Sequence, residues 1–120
     1  MANVEEFQGK RPVLGRNCHI EPGAQVLGDV TMGDDCSVWH GAAIRGDINS
    51  IRLGNRVNVQ EGASLHVSRG EAGNLAVGSD VTIGHNATVH ACRIDGHALV
   101  GMGAILLDGC HIGRGAVIAA

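Results

Sequence analysis

Aliphatic residues recur at every sixth position through most of this chain of 120 residues. The series contains Leu14, Ile20, Val26, Met32, Val38 and Ile44, then Leu53, Val59 and Leu65, then Val77, Ile83 and Val89, and finally Ile94, Val100, Leu106, Ile112 and Ile118. A fixed short period is typical of a solenoid, and a period of six predicts an all-β chain that forms a parallel β-helix. Three short strands and three corners make a coil of about 18 residues, which predicts about five coils.

The other positions of the six-residue unit fit a narrow tube. Counting the aliphatic residue as position 1, position 5 is small or β-branched and is expected to fill the space beside it. Its members are Cys18, Ala24, Val30, Cys36, Ala42, Ile48, Val57, Ala63, Val81, Ala87, Ala98, Ala104, Cys110 and Ala116. Position 4 is mostly Gly, Asn or Asp, which tolerate the positive φ of a tight corner. Its members are Asn17, Gly23, Asp29, Asp35, Gly41, Asp47, Gly62, Asp80, Asn86, Gly103, Gly109 and Gly115, with Arg56 and His97 as exceptions.

All four cysteines fall into this pattern. Cys18, Cys36 and Cys110 occupy position 5, and Cys92 does so if the unit that begins at Val89 is one residue short. We therefore expect buried core thiols. A disulfide between Cys18 and Cys36 is possible on adjacent coils but is not required, and no CxxC zinc motif is present.

Composition excludes several classes of function. The net charge is −3 without a long run of one sign, and the aromatic residues are one Trp and one Phe, so nucleic-acid binding is not expected. No apolar stretch reaches the roughly 20 residues of a membrane helix, and the first residues do not resemble a secretory signal, which favours the cytoplasm. The length predicts one domain over residues 1–120, with residues 1–12 as an N-terminal extension.

The period breaks at two places. Leu53 follows Ile44 by nine positions instead of six, and a polar, Gly-rich stretch, residues 67–76, interrupts the series between Leu65 and Val77. We interpret residues 67–76 as a loop that leaves the coil, and loops on a rigid scaffold commonly carry function.

This loop fixes the positions of three histidines. His66 and His90 each follow a position-1 residue, so they are expected to point outward from the same face, one coil apart, within reach of one metal ion. His85 lies at a corner and points elsewhere, so a neighbouring chain could supply it to a shared site. On spacing alone these histidines could also be ordinary surface residues, as we expect for His19, His40, His97 and His111.

Four segments together resemble the γ-class carbonic anhydrase family. They are residues 44–47 (Ile-Arg-Gly-Asp), 58–66 (Asn-Val-Gln-Glu-Gly-Ala-Ser-Leu-His), 83–90 (Ile-Gly-His-Asn-Ala-Thr-Val-His) and 100–109. The similarity covers residues 12–118, and the ordered combination is more specific than any one segment.

The resemblance implies a left-handed β-helix that forms homotrimers with a metal ion between subunits. His66 and His90 correspond to the ligands from one subunit, and the partner subunit's His85 corresponds to the third. Zn²⁺ is the expected metal, with Fe²⁺ or Co²⁺ as alternatives because imidazole binds all three. The implied activity is reversible hydration of CO2 to bicarbonate by a metal-bound hydroxide.

The same resemblance assigns four further residues to the site. Arg45 and Asp47 correspond to an ion pair at the trimer interface, and Gln60 and Asn58 correspond to polar residues near the metal.

The sequence also departs from the well-known active members. Ile48 replaces a glutamate after Arg-Gly-Asp, and the loop is short with a single acid, Glu71. The chain ends partway through a six-residue unit, which we interpret as a truncated end that lacks the C-terminal helix of the family. Two alternatives therefore stay open: a hexapeptide acyltransferase, or a metal-binding or scaffold trimer with little or no catalytic activity.

Overall fold

Sixteen short strands form a single β-helix in the computed structural model of the chain, which describes residues 3–120. The strands are β1 (Val4–Glu5), β2 (Val13–Leu14), β3 (His19–Ile20), β4 (Gln25–Met32), β5 (Ser37–Val38), β6 (Ala43–Leu53), β7 (Asn58–Val59), β8 (Ser64–His66), β9 (Leu75–Val77), β10 (Thr82–Ile83), β11 (Thr88–His90), β12 (Arg93–Ile94), β13 (Leu99–Val100), β14 (Ile105–Leu106), β15 (His111–Ile112) and β16 (Val117–Ile118). All strand pairs are parallel and the helix is left-handed, which confirms the predicted fold class, although it has about six turns rather than the five predicted. No α-helix occurs in residues 3–120.

Successive strands lie on three faces of the tube. The first face contains β2, the end of β4, the end of β6, β9, β12 and β15. The second face contains β3, β5, β7, β10, β13 and β16. The third face contains β1, the start of β4, the start of β6, β8, β11 and β14. This arrangement separates the outward side chains into three vertical columns.

The position-1 residues fill the tube as predicted. They are buried from Ile20 to Leu106, while Leu14, Ile112 and Ile118 at the two ends are partly buried and pack against the same core. Burial of apolar surface contributes about 25 cal/mol of stability for each Å², so this column is the main stabilising element of the fold.

The position-5 prediction fails at Ile48, whose side chain is 39% exposed. The three extra residues of β6 form a bulge, and Val30 pairs with Ile51 instead. Ile51 is completely buried and takes the place in the core that Ile48 was predicted to occupy.

Most predicted corner residues adopt positive φ, including the two exceptions Arg56 (54°) and His97 (61°). Gly23, Asp29 and Asp47 do not. Asp29 and Asp47 lie within the long strands β4 and β6, which run through a corner without a tight turn. In β4 the left-handed residue is Gly28 (φ 83°), where an added Cβ would lie 2.3 Å from the Gly46 carbonyl oxygen.

The cysteines lie in the core as thiols. Cys36 and Cys92 are buried, Cys18 and Cys110 are partly buried, and all four are free. Burial raises the pKa of the Cys36 thiol, and it raises the pKa of Cys92 to about 12 with a smaller contribution from Cys110. Both thiols are therefore protonated and unreactive near neutral pH.

The N-terminal extension and the two ends of the 67–76 stretch are also part of the solenoid. In the N-terminal extension, β1 pairs with β4 and Val4 is buried, whereas Met1 and Ala2 lie outside the described residues. In the 67–76 loop, Val67 is buried and Leu75–Val77 forms β9, so residues 68–74 project from the coil. Nothing in residues 3–120 forms a helix that is long and apolar enough to cross a membrane.

The Arg56–Asp80 ion pair at a corner leads to a pH-dependent prediction. Arg56 donates from Nε to Oδ1 of Asp80 (2.6 Å) and from Nη2 to Oδ2 (3.1 Å), and these bonds hold the pKa of Asp80 below its usual value. A lowered folded-state pKa stabilises the protein above the unfolded-state pKa of about 3.9, and this stabilisation is lost as pH falls through the folded-state value. Thermal unfolding should therefore show Asp80→Asn less stable than wild type at neutral pH, with a difference that shrinks as pH falls below the unfolded-state pKa of about 3.9.

Glu71→Gln on the projecting loop is the control, because Glu71 is exposed. If wild type were more stable to heat than Asp80→Asn by the same amount at acidic and neutral pH, this role for Asp80 would be contradicted.

Candidate metal centre

His66 and His90 lie side by side on the third face. β8 and β11 are adjacent parallel strands, and their register pairs His66 with His90, which confirms the predicted stacking. Nδ1 of His66 is 3.1 Å from Nε2 of His90, and the ring planes meet edge to face at 72°. Both side chains are partly buried. Two imidazole nitrogens thus converge on one point at the surface.

A carboxylate contacts the outer nitrogen of each ring. Nε2 of His66 is 2.9 Å from Oδ1 of Asp47, and Nδ1 of His90 is 2.6 Å from Oδ1 of Asp108. An ionised carboxylate only accepts hydrogen bonds, so both outer nitrogens are donors. When the rings are neutral, the inner nitrogens, Nδ1 of His66 and Nε2 of His90, carry the lone pairs that can bind a metal ion. Metal-binding histidines are commonly oriented by such carboxylates.

The bulge in β6 places Asp47 against His66. Arg45 donates from Nη1 to Oδ2 of Asp47 at 2.6 Å, and the Ile48 amide donates to Oδ1 at 2.8 Å. Burial alone would raise the pKa of Asp47, but the bonds from the Ile48 amide and His66 and the Arg45 charge outweigh it and lower the pKa. Arg45 and Asp47, predicted as an ion pair, are therefore paired within one chain and joined to the histidines.

Asp108 and Ser68 are site residues that the sequence analysis did not assign. Asp108 follows β14 and accepts a hydrogen bond from the Ser68 hydroxyl as well as from His90. These two bonds, that of Ser68 first, lower the pKa of Asp108. The repeat gave no signal for this contact, because Val89 pairs with Leu106 and Asp108 therefore lies one residue beyond the position opposite His90.

The other predicted site residues lie elsewhere on the tube. His85 follows β10 at the edge of the second face, with Nδ1 3.0 Å from Oε1 of Glu61. Gln60 and His85 line one groove of about 440 Å³, together with the exposed apolar residues Leu99, Met102 and Val117. Asn58 donates from Nδ2 to the Ser37 hydroxyl at 2.6 Å.

Each chain therefore carries two separate parts of the predicted site. One is the His66–His90 pair with its carboxylates, and the other is the corner that holds His85, Glu61 and Gln60. Within residues 3–120, no three His, Cys, Asp or Glu side chains are grouped closely enough to hold one metal ion. A three-histidine centre would need a second chain.

Comparisons with known proteins agree with the repeat and with the family resemblance. The bacterial transferase hexapeptide family (six repeats) matches residues 11–46. The chain is 38% identical to γ carbonic anhydrase 2, mitochondrial, of Arabidopsis thaliana over 92% of this chain and 41% of that protein. It is also 38% identical to the carbonic anhydrase of Geobacillus kaustophilus over 93% of this chain and 60% of that protein. The chain thus spans about half the length of the curated relatives it matches.

A solved structure shares the same architecture. A hexapeptide transferase family protein from Anaplasma phagocytophilum superposes with a TM-score of 0.80, at 29% identity, over 100% of this chain and 77% of the other. Fold and repeat together define a left-handed β-helix of the hexapeptide-repeat class. Within that class, the chain is similar to proteins named γ carbonic anhydrase and carbonic anhydrase.

Proposed function

We propose that this chain forms a homotrimer with carbonic anhydrase activity, in which a Zn²⁺ ion is held between neighbouring subunits. His66 and His90 would supply two ligands, and His85 of the partner subunit would supply the third. The relatives named carbonic anhydrase support the reaction, reversible hydration of CO2 to bicarbonate.

The distance between the inner nitrogens of His66 and His90 carries this proposal. Two Zn–N bonds of about 2.0–2.1 Å at a tetrahedral angle hold their nitrogens about 3.3 Å apart. The observed distance of 3.1 Å is close to that value, so the pair can accept an ion with little movement of its strands. Zn²⁺ held by His66, His90 and His85 of the partner subunit would supply Lewis acidity towards water near neutral pH.

The surrounding residues have separate roles in this proposal. Asp47 and Asp108 hold the outer N–H groups of the two histidines, and Arg45 fixes Asp47 through a 2.6 Å ion pair. Gln60 lines the same groove as His85, which supports a role for its amide in orienting a small polar substrate.

Metal analysis combined with stopped-flow CO2 hydration tests this function. We expect about one metal ion per chain in a trimer with three shared sites, together with hydration activity that is absent in His90→Ala. Stoichiometric metal without hydration activity would support a metal-binding or scaffold trimer instead. Absence of bound metal in wild-type protein loaded with Zn²⁺, Co²⁺ or Fe²⁺ would refute the metal centre.

One observation favours a second candidate, an acyltransferase. Glu61 lies 3.0 Å from Nδ1 of His85 beside an apolar groove, and a histidine oriented by a carboxylate can act as a general base. Such an enzyme would need acyl-CoA but neither His66 nor His90. Acyl transfer that persists in His66→Ala and is lost in His85→Ala would identify it.

A further inference from the structure

The protons of the His66–His90 pair are placed by its two carboxylate partners. Asp47 accepts from Nε2 of His66 and Asp108 accepts from Nδ1 of His90, so each neutral ring keeps its only N–H on the outer side. Two lone pairs then face each other across 3.1 Å. Without these carboxylates, one ring would be expected to move its proton inward and donate to the other.

The two carboxylates are held by different means. Asp47 is 12% exposed and is fixed by Arg45 and by the Ile48 amide. Asp108 is 54% exposed and accepts from the hydroxyl of Ser68. The tautomer of His90 therefore depends on a more exposed and more weakly fixed group than that of His66.

Ser68 is itself held by the projecting loop. The Ser68 amide donates to the Gly73 carbonyl at 2.9 Å and closes the loop. The Asn49 side chain, from the bulge in β6, donates to the carbonyls of Ser68 (3.0 Å) and Gly70 (2.7 Å). The loop and the bulge thus fix the hydroxyl that contacts Asp108.

We propose that Asp108 is the positioning residue for His90 and that Ser68 positions Asp108. Together they keep the His90 proton on Nδ1 and present Nε2 as an unprotonated donor to a divalent cation. The cation-binding consequence rests on the proposed metal centre, but the position of the proton does not.

The tautomer can be measured on the metal-free protein. Proton–nitrogen correlation spectra of ¹⁵N-histidine-labelled protein, at a pH where imidazole is neutral, distinguish Nδ1–H from Nε2–H. We expect wild-type His90 as Nδ1–H, and Asp108→Ala with a large fraction of Nε2–H that donates to His66. Asp108→Asn should restore the wild-type tautomer because its Oδ1 still accepts, and Ser68→Ala should give an intermediate result.

His111 is the internal control in every spectrum. Its Nε2 lies 2.8 Å from Oδ2 of Asp95, on the first face, so its Nε2–H tautomer should not change in any variant. A His90 that stays entirely Nδ1–H in Asp108→Ala, with the His111 signals unchanged, would overturn the proposal.

Cation affinity forms the second arm of the test. Titration with Co²⁺ should show about 10–100-fold weaker binding in Asp108→Ala, the usual cost of losing an outer partner of a metal-binding histidine, and near wild-type binding in Asp108→Asn. Equal Co²⁺ affinity in wild type and Asp108→Ala would overturn the positioning role. If wild type binds no cation, the proposed metal centre fails and the tautomer measurement alone decides the role of Asp108.

Discussion

Replacing His85 by alanine is expected to remove the metal from the assembled protein, although His66 and His90 stay intact in every chain. His85 lies at a corner of the second face beside Glu61, whereas the histidine pair lies on the third face. In the proposed trimer, His85 therefore completes the site of a neighbouring subunit, and its loss leaves every site with two ligands. Loss of one of three ligands should weaken binding by more than the 10–100-fold that loss of an outer partner costs. Metal content of the purified trimer measures this effect, and His111→Ala, on the first face, is the matched control.

Mixing two inactive variants tests the shared site directly. In trimers reassembled from equal amounts of His85→Ala and His90→Ala chains, a site is complete only when the pair comes from the first variant and His85 from the second. Random assembly gives such sites with probability one half times one half, so about a quarter of the metal sites should return. No recovery of metal in mixed trimers would rule out sharing between subunits.

Val89→Ala is expected to cause a large loss of stability at a position directly beside the site. Val89 is a fully buried core residue that precedes His90 in β11 and pairs with Leu65 on the preceding turn. Removing two methyl groups from a packed core loses about 1.6 kcal/mol of burial and adds a cavity term, which together lower the free energy of unfolding by about 2–3 kcal/mol.

Val13→Ala is the matched control for this truncation. Val13 is 61% exposed, so the same chemical change should alter the free energy of unfolding by less than about 0.5 kcal/mol. Denaturant unfolding of both variants measures the difference. Equal losses would mean that the position-1 column does not dominate the stability of the solenoid.

The repeat predicted the fold and the core because each coil is packed on a nearly identical neighbour. His66 and His90 could be paired from the sequence for this reason: both follow a position-1 residue, and Val89 aligns with Leu65. The sequence also showed that the repeat unit from Val89 to Ile94 is one residue short. The structure agrees, because Thr82 pairs with Leu99, which is only 17 positions later.

Insertions limited what the sequence could predict about the site. Ile48 was expected in the core by counting, but the bulge in β6 turns it outward and buries Ile51 instead. The same bulge brings Asp47 to His66, and no spacing rule predicts the direction of a side chain inside a bulge.

The sequence by itself therefore determined the parallel β-helix class, the buried column and the stacking of two histidines, because a strict period transmits register from one coil to the next. The left-handed sense followed from the family resemblance. The tertiary structure decided which groups hold those histidines. Asp47 reaches His66 from a bulge, and Asp108 reaches His90 with the help of Ser68 on a projecting loop. These contacts join segments that depart from the repeat, so their geometry depends on how each segment packs rather than on the period.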